Sequence, residues 1–126
     1  MRCYDPSSGG NGGIHSWYNL LPGNVKAAVD SALELVATEQ GLLRDLPYYK
    51  ELRGHCQGLD EVIVNLADGR LFRVLTFKGP GRRDCTLLFG FEKTSNADYG
   101  QACDSARWRK QGVERDAKRA PECQFP

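Results

Sequence analysis

Arg73 stands inside Leu71-Phe72-Arg73-Val74-Leu75, a guanidinium in the middle of an otherwise apolar run. A charge in such a strand turns either to solvent or to a partner, and a fixed guanidinium is well suited to hold phosphate. Further cations gather in two places. Between Ala106 and Arg119 lie Arg107, Arg109, Lys110, Arg115, Lys118 and Arg119, against Glu114 and Asp116, and Lys78, Arg82 and Arg83 flank Gly79-Pro80-Gly81. With 17 basic and 16 acidic residues the formal net charge is only +1. Local positive patches on a near-neutral body suit a focused polyanion site, and equally a solvated helix face. Cleaving RNA without a metal needs three things: a deprotonated ribose 2′-hydroxyl, a held phosphorane charge and a protonated leaving oxygen. Carboxylate, tyrosine or histidine can move the protons while Arg and Lys hold the charge. Tyr99 and His55 are proton carriers on chemistry alone.

Several other chemistries lack their residues. His15 and His55 are the only histidines, and neither has a partner four residues on in an HExxH arrangement. There is no P-loop, no GxGxxG and no GxSxG elbow. Metal, cofactor and small-molecule ligand are therefore not expected. Cys3, Cys56, Cys85, Cys103 and Cys123 are odd in number and form no CxxC pair. That spacing predicts reduced thiols, some packed in the core, rather than a disulfide framework. No stretch nears the roughly 20 apolar residues of a membrane helix, and Met1-Arg2-Cys3-Tyr4-Asp5-Pro6 has no apolar block behind it. A cytoplasmic protein without membrane contact is expected.

The elements that must position these groups read as one α+β domain over residues 1–126, a size that supports a single core. Residues 1–15 hold a short strand and a Ser7–Gly13 flexible loop, and 120–126 form a tail. Ser16 is a candidate cap for a short helix stopped by Pro22-Gly23. Asn24 is a candidate cap for the clearest helix, whose Val25, Ala28, Val29, Ala32, Leu33 and Val36 recur at helical spacing up to Gly41. From Asp60 the period becomes two. Glu61–Ala67, Arg70–Phe77 and Asp84–Phe91 form a three-stranded antiparallel meander, and Tyr99–Arg119 a C-terminal helix. Asp68-Gly69 signals a two-residue hairpin, which pairs Val64 with Arg73 and sends Glu61 to the face opposite Arg73.

Five segments together resemble the RelE/ParE toxin superfamily, in particular its phage-derived, HigB-like branch. They are Leu46-Pro47-Tyr48-Tyr49-Lys50-Glu51-Leu52-Arg53-Gly54, Gly58-Leu59-Asp60-Glu61-Val62, Phe72-Arg73-Val74-Leu75, Leu87-Leu88-Phe89-Gly90-Phe91-Glu92-Lys93, and Ala106-Arg107. The pattern departs from many relatives at Ile63, where an arginine is usual, and at Glu92, an acid beside Lys93.

The resemblance implies a RelE-like fold and a type II toxin–antitoxin toxin. Its usual activity is ribosome-dependent mRNA cleavage through 2′-hydroxyl attack, and its partners are the ribosome, mRNA and a neutralising antitoxin. Carried onto this chain, the catalytic set is Arg73 on the phosphate with Lys93, Glu61 and Arg107. Lys50 and Arg53 match a basic approach; Arg82 and Arg83, which have no fixed family counterpart, are read as supplementary phosphate contacts, with Arg109 and Lys110 as further RNA contacts. Two other readings stand beside it: a non-enzymatic gyrase poison of the ParE type, and an inactive phage-derived relative.

Overall fold

The protein was described from a computed structural model covering residues 1–6, 12–38 and 47–124. The expected Gly41 helix end and most of the Ser7–Gly13 loop lie outside these residues. The fold is mixed α+β, with a five-stranded sheet and three helices. In chain order these are β1 (Arg2–Cys3), α1 (Ile14–Asn19), α2 (Gly23–Thr38), β2 (Tyr49–Glu51), β3 (Asp60–Asn65), β4 (Leu71–Lys78), β5 (Cys85–Glu92) and α3 (Asp98–Arg115). Short 3-10 turns occupy Gly54–Cys56 and Ala117–Arg119.

The sheet order is β1-β5-β4-β3-β2, with β1 parallel to β5 and the other pairs antiparallel. Alternation splits the strands between two cores. Val62, Val64, Phe72, Val74 and Leu87 pack with Val25, Val29, Leu33 and Val36 of α2 and with Ile14 and Tyr18 of α1. Leu59, Leu75, Phe77 and Leu88 pack with Ala102, Cys103, Ala106 and Val113 of α3. The helical stripe of α2 is thus spent on the sheet, each buried Val or Leu contributing about 1.5–3 kcal/mol.

The expected four strands fall one short. β2 is only three residues long, two of them charged, and shows no alternation that sequence reading could use. Two helix starts also differ: α1 begins at Ile14 rather than at Ser16, and α2 at Gly23 before Asn24. The C-terminal helix ends at Arg115, and Asp116 then accepts from the Lys118 N–H to start the following 3-10 turn.

The larger correction is the β3–β4 register. Leu66 N–H donates to the Arg70 carbonyl (2.9 Å) and Gly69 N–H to Leu66 (3.1 Å), so the loop is Ala67-Asp68-Gly69, three residues rather than two. Gly69 takes φ +92°, the left-handed conformation that closes such a loop. Ile63, not Val64, therefore faces Arg73, and Glu61 faces Leu75. A one-residue slip exchanges the faces of the whole strand.

The thiol expectation is overturned as well. Cys3 is bonded to Cys123 and Cys56 to Cys103, leaving Cys85 as the free cysteine, buried among core residues. Neither bridge follows a short-range motif. β1 and the tail meet through backbone pairing: Cys3 N–H donates to the Pro121 carbonyl (2.9 Å), Cys123 N–H to the Met1 carbonyl (3.1 Å), and Arg2 bridges to Glu122. Gln124 N–H in turn donates to His15 Nε2 of α1 (3.0 Å).

Gly90 carries a further constraint: a Cβ there would sit inside contact distance of the Trp17 ring, which lies flat on β5. Gly69→Ala should cost about 1–2 kcal/mol through its positive φ, and Gly90→Ala about 1–3 kcal/mol through overpacking. Urea unfolding midpoints measure both.

Candidate functional site

Because of that slip, Glu61 and Arg73 lie on the same sheet face, the one facing α3. Both are almost wholly buried, at 6% and 7% exposure. Arg73 Nη1 donates to the Phe72 carbonyl (2.8 Å) and to Asn65 Oδ1 (3.0 Å), which fixes the guanidinium at the start of β4. Its Nε lies 3.8 Å from Glu61 Oε2 and, among the described residues, is the one buried side-chain polar atom without a hydrogen-bond partner.

Tyr99, from the first turn of α3, donates its hydroxyl to Glu61 Oε2 at 2.5 Å. Burial first, then the Glu61 hydrogen bond and charge, push the Tyr99 pKa up to about 12, with Arg73 opposing. Tyr99 therefore keeps its proton at neutral pH. Phe91 meets its ring edge-on at 5.5 Å, and Lys93 Nζ lies 5.5 Å from the ring centroid. Lys93 is placed by its own N–H donating to the Leu71 carbonyl (2.7 Å) as the β4–β5 ladder ends. Asp98 then binds the connection, accepting from the Thr94 and Ser95 N–H groups and the Thr94 hydroxyl. Those donors, the Thr94 N–H first, hold the Asp98 carboxyl below the usual carboxylate range.

Glu61, Arg73, Lys93 and Tyr99 thus form one cluster where the sheet meets the start of α3. Lys50 joins its outer edge, exposed and directly opposite Glu61 in the β2–β3 register. Ile63 lies opposite Arg73 and contributes an apolar wall. Glu92 faces the other way: it pairs across the sheet with Phe72, and its carboxylate is 3.6 Å from Arg70 Nε. The acid beside Lys93 in sequence is therefore on the opposite face from it.

The remaining cations stand elsewhere. Arg107 gives its guanidinium to the carbonyls of His55 and Gln57, and His55 itself pairs with Asp104 at 2.8 Å. Arg109 reaches the Leu88 carbonyl and the Gly12 carbonyl, both at 2.8 Å, lies between the Tyr4 and Phe89 rings, and has its pKa drawn down by burial. It is a strut between α3, β5 and the Gly12 turn. Arg53 and Lys110 line a cavity of about 510 Å³ with Asp60, Phe77 and Lys78, where Lys110 Nζ donates to the Gly58 carbonyl (3.0 Å). Arg82 and Arg83 are exposed on the β4–β5 connection.

A second polar cluster had no sequence signal. Tyr49 donates to Asp60 Oδ2 (2.5 Å) and lies 3.2 Å from Thr76 Oγ1, all three buried on the α2 side of the sheet. Burial raises the pKa of both Tyr49 and Asp60. Nothing in the spacing of Tyr49, Asp60 and Thr76 announces that three strands bring them together. Among the described residues, no group of three or more His, Cys, Asp or Glu side chains is arranged to hold a metal ion, and no helix is long and apolar enough to cross a membrane.

The chain matches no protein-family model, no curated protein and no solved structure.

Glu61→Ala should be strongly destabilising, by about 3 kcal/mol, because it leaves the Arg73 charge buried without its counter-ion. Glu61→Gln also removes the counter-charge but should cost less than Glu61→Ala, since its amide oxygen still accepts from Tyr99. Comparing the two urea midpoints separates loss of the pair from loss of the acceptor.

Proposed function

We propose that the chain is a RelE-like, metal-independent endoribonuclease of a type II toxin–antitoxin system. One observation supports this most: a carboxylate, a tyrosine that holds its proton, a guanidinium whose Nε makes no hydrogen bond and a lysine gather at one end of the sheet. These are the groups that metal-free RNA cleavage by 2′-hydroxyl attack requires.

In this reading Glu61 takes the 2′-hydroxyl proton as O2′ bonds to the adjacent phosphorus. The P–O5′ bond breaks, and Tyr99 gives its proton to the departing 5′-oxygen. The products carry a 2′,3′-cyclic phosphate and a 5′-hydroxyl. Arg73 Nε and the Lys93 ammonium hold the charge on the non-bridging oxygens. Lys50 meets the RNA backbone at the edge of the sheet. Arg107, Arg109 and Lys110, committed to backbone carbonyls, hold the fold rather than the RNA, and we assign Arg53, Arg82 and Arg83 to flanking contacts.

The substrate is translated mRNA in the cytoplasm. The antitoxin docks on the outer face of α3, where Trp108 is 67% exposed and borders a groove of about 240 Å³ with Arg115 and Arg119. Exposed tryptophan beside arginine is the composition of interface hot spots.

Induced expression with RNA 5′-end mapping tests the activity. New ends inside translated messages, formed by wild type and reduced about 10²–10⁴-fold by Glu61→Gln, are expected. Lys93→Ala should slow cleavage with little change in stability. Undiminished cleavage by a folded Glu61→Gln protein would overturn the mechanism, and growth arrest without new RNA ends would overturn the activity.

A further inference from the structure

The Tyr99–Glu61 hydrogen bond joins α3 to β3, and it forms only if the two elements hold a fixed height relative to each other. The Cys56–Cys103 bond sits where it can set that height. Cys103 lies one helical turn after Tyr99, on the same face of α3, and is wholly buried. Cys56 ends the 3-10 turn that leads through Leu59 into Asp60 and Glu61. One covalent link therefore ties the next turn of α3 to the 3-10 turn that leads into β3, close to the hydrogen bond but not on the same strand.

Leu59 shares a buried apolar cluster with Ala102, Cys103 and Ala106 of α3, packing that is non-directional and does not by itself fix one height. The polar ties between α3 and this segment are weaker in kind. Arg107 donates to the carbonyls of His55 and Gln57, Lys110 donates to Gly58, and His55 pairs with Asp104, and these contacts are largely solvent-exposed. Exposed polar contacts of this sort contribute about 0–1 kcal/mol each. They orient the segment without fixing it. The second disulfide, Cys3–Cys123, joins the two ends of the chain at the far edge of the sheet and touches neither Tyr99 nor Glu61.

We propose that Cys56 and Cys103 are positioning residues whose disulfide holds Tyr99 on Glu61, so that the site is assembled in the oxidised protein and loosened when a dithiol opens the bond. The exchange takes two electrons and two protons. The S–S bond becomes two thiols, and the dithiol closes to its own disulfide. Reducing compartments keep such bonds open and oxidising ones keep them closed, so in the cytoplasm, where the ribonuclease reading puts the substrate, the site rests loosened and is assembled when its surroundings turn oxidising. This inference rests on the ribonuclease reading only for its effect on cleavage; the coupling of the bond to Tyr99 stands without it.

The test follows the Tyr99 hydroxyl itself. Without reductant, the denatured protein should show one titratable thiol, Cys85; five would overturn the proposal at once. Ultraviolet titration, taken as the difference between each protein and its Tyr99→Phe counterpart, isolates this tyrosine from the others. With the bond closed, Tyr99 should ionise near 12. In Cys56→Ala/Cys103→Val it should move toward the ordinary value of 10.0. Cys3→Ala/Cys123→Ala should leave it unmoved.

Continued ionisation near 12 in a folded Cys56→Ala/Cys103→Val protein would overturn the proposal. So would that variant failing to fold while Cys3→Ala/Cys123→Ala folds, since the bond would then serve stability alone. If RNA is cleaved, kcat should fall about 10²-fold with KM little changed. If RNA is not cleaved, the tyrosine titration still decides the role of the bond.

Discussion

The positive φ of Gly69 governs where every side chain of β4 points relative to β3. A three-residue loop closed by a left-handed residue sets Asn65 against Leu71 and carries that register up the hairpin to Asp60 and Thr76. The alternative two-residue loop would put Arg73 and Glu61 on opposite sides of a sheet covered by helices on both faces. One side chain would then be buried without a counter-charge, at a cost of several kcal/mol. The turn and the buried pair are thus mutually consistent: the loop places the two charges together, and the charges penalise any slip of the loop.

That buried pair gives α3 its second task. Packing of Ala102, Cys103, Ala106 and Val113 seats the helix on the sheet. The small side chains at three of those positions let it approach closely enough for Tyr99 to reach Glu61. The polar links of Arg107, Arg109 and Lys110 run outward from the same helix to carbonyls on both sides of it. A helix so rich in cations is therefore less a polyanion surface than a set of clasps, with Lys93 and Lys50 left at the open side of the cluster.

How much of this was legible follows from the range of each signal. The stripe of α2, the three long strands and the burial of Ala102, Cys103 and Ala106 come from short-range periodicity, which a single sequence displays openly. Arg73 was conspicuous because it interrupts an apolar run. Its partnership with Glu61 was hidden by one residue of loop length, since Asp68-Gly69 fits both a two-residue turn and the last two positions of a longer one. β2 was too short and too polar to show a period. The disulfides and the Tyr49–Asp60–Thr76 cluster depend on contacts between distant segments, and no spacing rule encodes those.

Cys3 and Cys123 are separated by 120 positions in sequence yet bonded, so nearly the whole chain forms one covalent ring. Tension applied between the two termini would pass through β1, that bond and the tail, and the sheet interior would carry none of it. The clasp lies at the β1 edge, the opposite edge of the sheet from β2. In topological terms residues 3–123 form a closed loop, and its resistance to being pulled apart at those two residues belongs to the clasp rather than to the fold.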